Sequence, residues 1–150
     1  MSLTVTVKSD SLSSVLAKLY AKTNDLSPVM SALGMEMENR VKERFESQTD
    51  PLGVPWSPWK PSTEKTYPKD GNRRLLDRFG DMLEHISHEH DASSATVGFK
   101  EGYATFHEFG TKKMARRGML FADPESGTLA PDDERALTDV IFDILNAAAK

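Results

Sequence analysis

His85, His88, His90 and Asp91 fall within seven residues, and imidazole and carboxylate at that density are the raw material of a divalent metal centre. The spacing argues against one. On a helix His85 and His88 share a face, on a strand His88 and His90 do, and neither conformation gathers three ligands at once. These residues read as solvated polar groups at a helix end. His107-Glu108 opens like the His-Glu-x-x-His zinc motif, but Thr111 stands where the second histidine is required. His107 is then expected to hydrogen-bond beside the Tyr103 and Phe106 rings. The chain has no Gly-x-Ser-x-Gly elbow, no glycine-rich phosphate cradle and no cysteine, which removes the commonest local signatures of nucleophilic and nucleotide chemistry. The expectation is a protein without catalytic residues, metal or cofactor, and a metal-dependent hydrolase on the histidine cluster is the minor rival.

The two tryptophans carry a different kind of chemistry. Trp56 and Trp59 both lie in FESQTDPLGVPWSPWKPST, residues 45–63, among prolines 51, 55, 58 and 61. So much proline excludes a helix or a central strand, which leaves the indoles on irregular backbone. Each ring covers roughly 200 Å² when fully buried, so leaving both wet forfeits several kcal/mol at about 25 cal/mol per Å². Something must cover them. Either they fold back over the chain's own core, or at least one anchors a partner, as tryptophan does at interface hot spots. On the partner reading, Trp56→Ala leaves a folded monomer that fails to assemble; on the core reading it loses structure.

Composition narrows the setting. A chain of 150 residues without cysteine has the size of one domain and fits a reducing compartment. No run of about 18 apolar residues suggests a membrane span, and the N-terminus lacks a signal-peptide layout, so a soluble, cytoplasmic protein is expected. Net charge is −4, divided unevenly: residues 51–120 hold 11 Lys/Arg against 9 Asp/Glu, and residues 121–150 hold 2 against 7. Affinity for nucleic acid as the main function is therefore disfavoured. A local basic group remains in Lys112, Lys113, Arg116 and Arg117. It reads equally as a solvated loop or as a contact with DNA phosphates or an acidic neighbour, the acidic C-terminal helix of an adjacent copy being the natural one.

These residues need elements to hold them. Leu3, Val5 and Val7 alternate as in a half-buried strand, and Asp10 or Ser11 caps a helix with Leu12, Val15, Leu16 and Leu19 on one face. Ser27 as cap and Pro28 at the first position start the strongest helix, with Val29, Met30, Leu33, Met37, Val41 and Phe45 in one stripe and Met30, Met35 and Met37 as core filling. A long loop follows at about 48–72. Leu75, Leu76, Phe79, Met82, Leu83 and Ile86 predict a further helix, and Ser87–Asp91 with Ala95–Phe99 predict an antiparallel hairpin with a bulge marked by Gly98. Tyr103, Phe106 and Phe109 recur every third residue, which predicts a helical turn with its rings inward, closed by Gly110. Met119-Leu120-Phe121 reads as a short strand or buried anchor. The last helix starts near Pro131 and buries Leu137, Val140, Ile141, Ile144 and Leu145. The fold class is α+β, with a small antiparallel sheet packed by three or four helices in a single domain over 1–150.

Over residues 1–125 the chain resembles the phage virion morphogenesis family, which includes tail completion proteins and Mu-like protein G. The resemblance rests on Phe45, Asp50-Pro51, Gly53, Trp56 and Thr63, on Leu76, Gly80 and Leu83, and on Tyr103-Ala104, His107 and Phe109-Gly110, in the family's order. It departs from the usual pattern at Trp59 (commonly leucine), at Glu108 (commonly glutamine) and at Arg117-Gly118-Met119-Leu120-Phe121, where Arg-Pro-Phe-Leu-Gly is usual. Loss of that proline is expected to loosen the entry to 119–121. The resemblance implies a non-enzymatic structural protein, a tail completion, tail terminator or head–tail joining subunit made in the bacterial cytoplasm and placed in the virion's tail or neck. Its implied partners are copies of itself in a ring, often hexameric, the tail tube and head or neck proteins, with DNA only passing through and no membrane. Trp56, Trp59, Tyr103, His107, Phe109, Lys112, Lys113, Arg116 and Arg117 are the candidate interface residues. A rival from another class is a DNA-contacting neck protein using Arg73, Arg74, Arg78 and the 112–117 group.

Overall fold

A computed structural model of the chain describes residues 25–67, 74–78 and 80–148, with Ser14, Ala17, Lys18 and Ala21 as isolated helical, exposed positions. The predicted strand at 3–7 and the apolar stripe of the first predicted helix lie outside the described residues, as do Arg73 and Phe79.

Helix α1 (Ser27–Ser47) is the hub of the core. Its stripe Val29, Met30, Leu33, Met37, Val41 and Phe45 is buried as its spacing predicts, and Arg44 is buried beside it. Met35 lies off the stripe and is exposed, so it is not core filling. Ser27 is the first helical residue rather than the cap, and the Asp25 carboxylate takes its N–H at 2.9 Å. At the other end Gln48 turns left-handed, φ 54°.

The region beyond is less open than a long loop. Thr49 pairs with Pro55 across a tight turn, in which Asp50 Oδ1 accepts the Leu52 and Val54 N–H groups at 2.9 Å each. A one-turn helix α2 (Pro61–Glu64) follows. The helix predicted over 75–86 is reduced to α3 (Asp81–Glu84). Leu76 at φ 61° and Gly80 at φ 84° break the helical path, and Arg74 closes a turn on Asp77. The apolar residues there still reach the core, Met82 and Ile86 buried and Leu75, Leu76 and Leu83 packed against it.

Strands β1 (Ile86–His90) and β2 (Ala95–Phe99) form the predicted antiparallel hairpin, closed by Asp91 Oδ1 on the Ser93 and Ser94 amides. No bulge interrupts it: Ser87 pairs with Gly98 within an unbroken register from Ile86↔Phe99 to His90↔Ala95. Helix α1 packs on both strands. Gly34 lets His88 approach, since a Cβ there would stand 2.7 Å from the imidazole Cδ2. Two more helices complete the described part, α4 (Ala104–Phe109) and α5 (Pro131–Ala148). Leu137 and Ile141 of α5 are buried, with Val140 and Ile144 packed beside them. The side chain of Leu145 lies outside the described residues. This is an α+β fold of five helices and a two-stranded sheet among the described residues. None of those helices is long and apolar enough to cross a membrane.

Candidate functional site

Met119, Leu120 and Phe121 are buried, yet they join no sheet. Of the two predicted alternatives, the buried anchor is the one found. Buried amides and carbonyls without a ladder need other partners, and here side chains from three separate regions supply them. Glu108, 0% exposed, accepts the N–H groups of Met119 (2.6 Å), Leu120 (3.1 Å) and Phe121 (2.9 Å). The carbonyls go to donors: Gly118 to Trp56 Nε1 at 2.9 Å, Met119 to Arg44 Nη1 at 2.6 Å, and Phe121 to Arg116 Nη2 at 2.6 Å. Arg44 is fixed in turn by both carboxylate oxygens of Asp133, itself 0% exposed, and Arg40 Nε reaches the same carboxylate at 2.7 Å.

Several residues expected at an interface are therefore engaged within their own chain. Trp56 is 5% exposed and packs edge-on against Phe45, with centroids 5.6 Å apart. Its ring is covered by its own protomer, so the core reading replaces the partner reading for this residue. Arg116 also holds the Glu108 carbonyl at 2.7 Å, and Arg117 holds those of Ser57 (2.8 Å) and Pro58 (3.0 Å). Lys60 Nζ reaches back to the Lys113 carbonyl at 2.8 Å. The proline-rich loop and the basic loop are thus laced together, and two of the four basic charges are braces rather than a free patch. Loss of the family's usual proline does not loosen the entry to 119–121. A Cβ at Gly118 would stand 2.5 Å from Arg116 Nη2, so glycine makes room for the guanidinium that grips Phe121. Trp59 is half-buried and stacks on Tyr67 at 4.3 Å, with the Arg78 guanidinium over that tyrosine at 4.7 Å. Trp56→Phe, which keeps most of the ring but leaves the Gly118 carbonyl without its donor, is expected to cost about 1–3 kcal/mol of unfolding free energy in urea titration.

Helix α4 is turned the other way from the expectation. Ala104 and Glu108, four residues apart, point inward, while Tyr103, Phe106 and Phe109 are 44%, 56% and 39% exposed. A helix so short reads ambiguously, and the three backbone donors of 119–121 outweigh the burial of a ring. Gly110, φ 74°, ends the helix, and a Cβ there would crowd the Arg116 backbone at 3.0 Å.

His107 sits between the two sides. It does not hydrogen-bond as expected: its Nδ1 is buried without a partner, and the ring meets Tyr103 edge-on at 6.4 Å. Burial, with the positive Arg117 adding, pushes its pKa from 6.5 down to about 4. Between those values the unfolded chain binds a proton that the folded chain refuses, so stability is full above pH 6.5 and is lost as pH falls toward 4. The loss is expected to be about 1–3 kcal/mol after discounting for partial exposure. Urea unfolding at pH 7 and near the lower value should show it, and the difference should shrink in His107→Gln.

The histidine cluster disperses. His85 Nδ1 meets Glu101 and His88 Nδ1 meets Glu38, each at 2.5 Å, while His90 is exposed. No group of three metal-ligating side chains occurs among the described residues. The basic residues are equally committed: Arg74 to Glu46 and Asp77, Arg78 to Thr66 and Tyr67. Lys112 and Lys113 are exposed and enter no ion pair among the described residues.

An interior whose polar groups hold an irregular backbone in place, beneath a short helix with its aromatics outward, defines a small α+β scaffold with an apolar outer face on α4. The chain belongs to the phage virion morphogenesis family, whose model matches residues 7–146. It is 30% identical over 141 residues to the Mu-like prophage FluMu G protein 2 of Haemophilus influenzae strain Rd, an alignment that covers 93% of this chain and 92% of that relative. No solved structure matches it. Family and relative together support a structural or assembly role in phage morphogenesis.

Proposed function

We propose that the protein is a non-enzymatic tail completion or tail terminator subunit, which acts by forming a homo-oligomeric ring at the head-proximal end of the tail and presents a face to the head or neck. Family membership supports the setting. The observation that carries the mechanism is the outward aromatic face of α4, where Tyr103, Phe106 and Phe109 leave large apolar area wet. Exposed apolar patches of that kind mark protein contacts, and aromatic rings supply much of an interface's energy. Six subunits are the expected closure. DNA would only pass through the ring, since in the 112–117 group Arg116 and Arg117 brace backbone carbonyls and leave two lysines, too few for tight duplex binding by that loop. The subunit would be made in the bacterial cytoplasm and end in the virion.

The test is assembly. Native mass spectrometry across a concentration series is expected to show a discrete multi-subunit species. The double substitution Tyr103→Ser, Phe106→Ser should keep the circular dichroism and urea midpoint of the parent while losing that species and the joining of tails to heads. A parent that stays monomeric at every concentration and also in the presence of tails would overturn the proposal.

A further inference from the structure

We propose that the contact between subunits is head-to-tail, with the aromatic face of α4 on one copy seated in a separate cleft on the next. This rests on the ring reading above and specifies which surfaces meet. The cleft lies between the C-terminal half of α1, the turn at 49–53 and the start of α5, lined by Arg40, Glu43, Asp50, Pro51, Leu52 and Asp132 among others. Its volume is about 210 Å³, below the ~300 Å³ at which small-molecule pockets begin. That is room for protruding side chains rather than for a free ligand.

Three observations pair the two surfaces. The first is placement. Segment 118–121 is gripped through its amides by Glu108 of α4 and through the Met119 carbonyl by Arg44 of α1, and Arg44 also lines the cleft. The lining of the cleft includes no residue of α4, so the aromatic face and the cleft are separate, unlike surfaces joined through one segment. Unlike surfaces make heterologous contacts, and these close into rings when the rotation allows.

The second is charge. Arg44 is bound to the buried Asp133, Arg40 to Asp133 and Glu36, and Arg135 to Asp132, which leaves Glu43 and Asp50 to set the sign of the rim. Lys112 and Lys113 stand immediately beyond Phe109 and Gly110, on a turn whose Thr111 Oγ1 accepts the Lys113 and Met114 amides. Opposite charge at the edge of an apolar contact steers and orients docking. The third is apolar match. Leu52 and Val54 are more than half exposed at the tip of the turn beside the cleft, as Phe106 is on α4. Two exposed apolar surfaces on one chain cover each other in a head-to-tail contact.

The chain has no cysteine, so one substitution introduces one thiol and a bifunctional reagent can join two copies at most. Leu52→Cys and Phe106→Cys, both at exposed positions and both checked for parental circular dichroism, are mixed before assembly and treated with a short bis-maleimide. The mixture is expected to yield a covalent dimer and each variant alone to stay single. The doubly substituted chain should give a ladder that ends at the subunit number of the ring. Dimers of Phe106→Cys alone would mean that like faces meet, and the proposal would be wrong. A multi-subunit species in native mass spectrometry without crosslinking in the mixture would overturn this contact and leave the ring standing. A parent that remains monomeric throughout would remove both.

Discussion

Replacing Glu108 with alanine is expected to leave little of the fold intact. The carboxylate accepts the Met119, Leu120 and Phe121 amides together, and its own charge is balanced by Arg116 Nη2 at 3.5 Å. Each buried N–H deprived of an acceptor costs about 1–3 kcal/mol, and the cavity left by the side chain adds more. Together these reach ~5 kcal/mol or beyond, which is the whole stability of many small domains. Glu108→Gln separates this clamp from simple filling of space. Its amide oxygen can still serve Met119 and Leu120, but its NH₂ would face the Phe121 N–H, donor against donor, and the partner charge of Arg116 would be gone. That variant should fold, with a loss of roughly 1–3 kcal/mol. Urea unfolding of both proteins gives the comparison. Equal and small losses would mean that water or a shifted backbone satisfies the three amides and that the clamp has no energetic weight.

The parts of the fold legible in the sequence are those set by repeating patterns. The six-residue stripe of α1, the hairpin around Ala92-Ser93-Ser94 and the α5 stripe follow from period and turn chemistry, and each occurs within a residue or two of its expected place. The segment 75–86 shows how the same pattern misleads. Its leucines keep a helical spacing, but Leu76 and Gly80 take positive φ and deliver them to the core from a turn. The site was legible as residue types and not as roles. Tyr103, Phe106 and Phe109 look like an inward face until three amides demand an acceptor, and only Glu108 on the other side of α4 meets them. A signal was available. A small residue and a carboxylate four apart, Ala104 and Glu108, precede two glycines and an arginine that all crowd one spot. Arg44 and Asp133 gave none, because 89 residues separate them and only tertiary structure brings them together.

That pair supports the other large effect. Asp133→Ala removes the carboxylate that fixes Arg44, a guanidinium side chain only 8% exposed, and leaves a buried cation held by the Met119 carbonyl alone. Breaking such a pair from one end is expected to cost ~3–5 kcal/mol, far more than the pair contributes against an apolar replacement. The aspartate also sits in the first turn of α5, where the helix's positive end favours a negative charge, so the loss falls on the seam between α1 and α5 as well. Arg44→Met combined with Asp133→Leu should recover a large part of the single mutant's loss by removing both charges. Recovery should stop short of the parent by about 1–3 kcal/mol, because the Met119 carbonyl then lacks its donor. A double-mutant cycle in urea measures both quantities. If Asp133→Ala alone costs less than ~1 kcal/mol, Arg44 has found water or Glu43 instead, and the segment at 118–121 is fastened from the α4 side only.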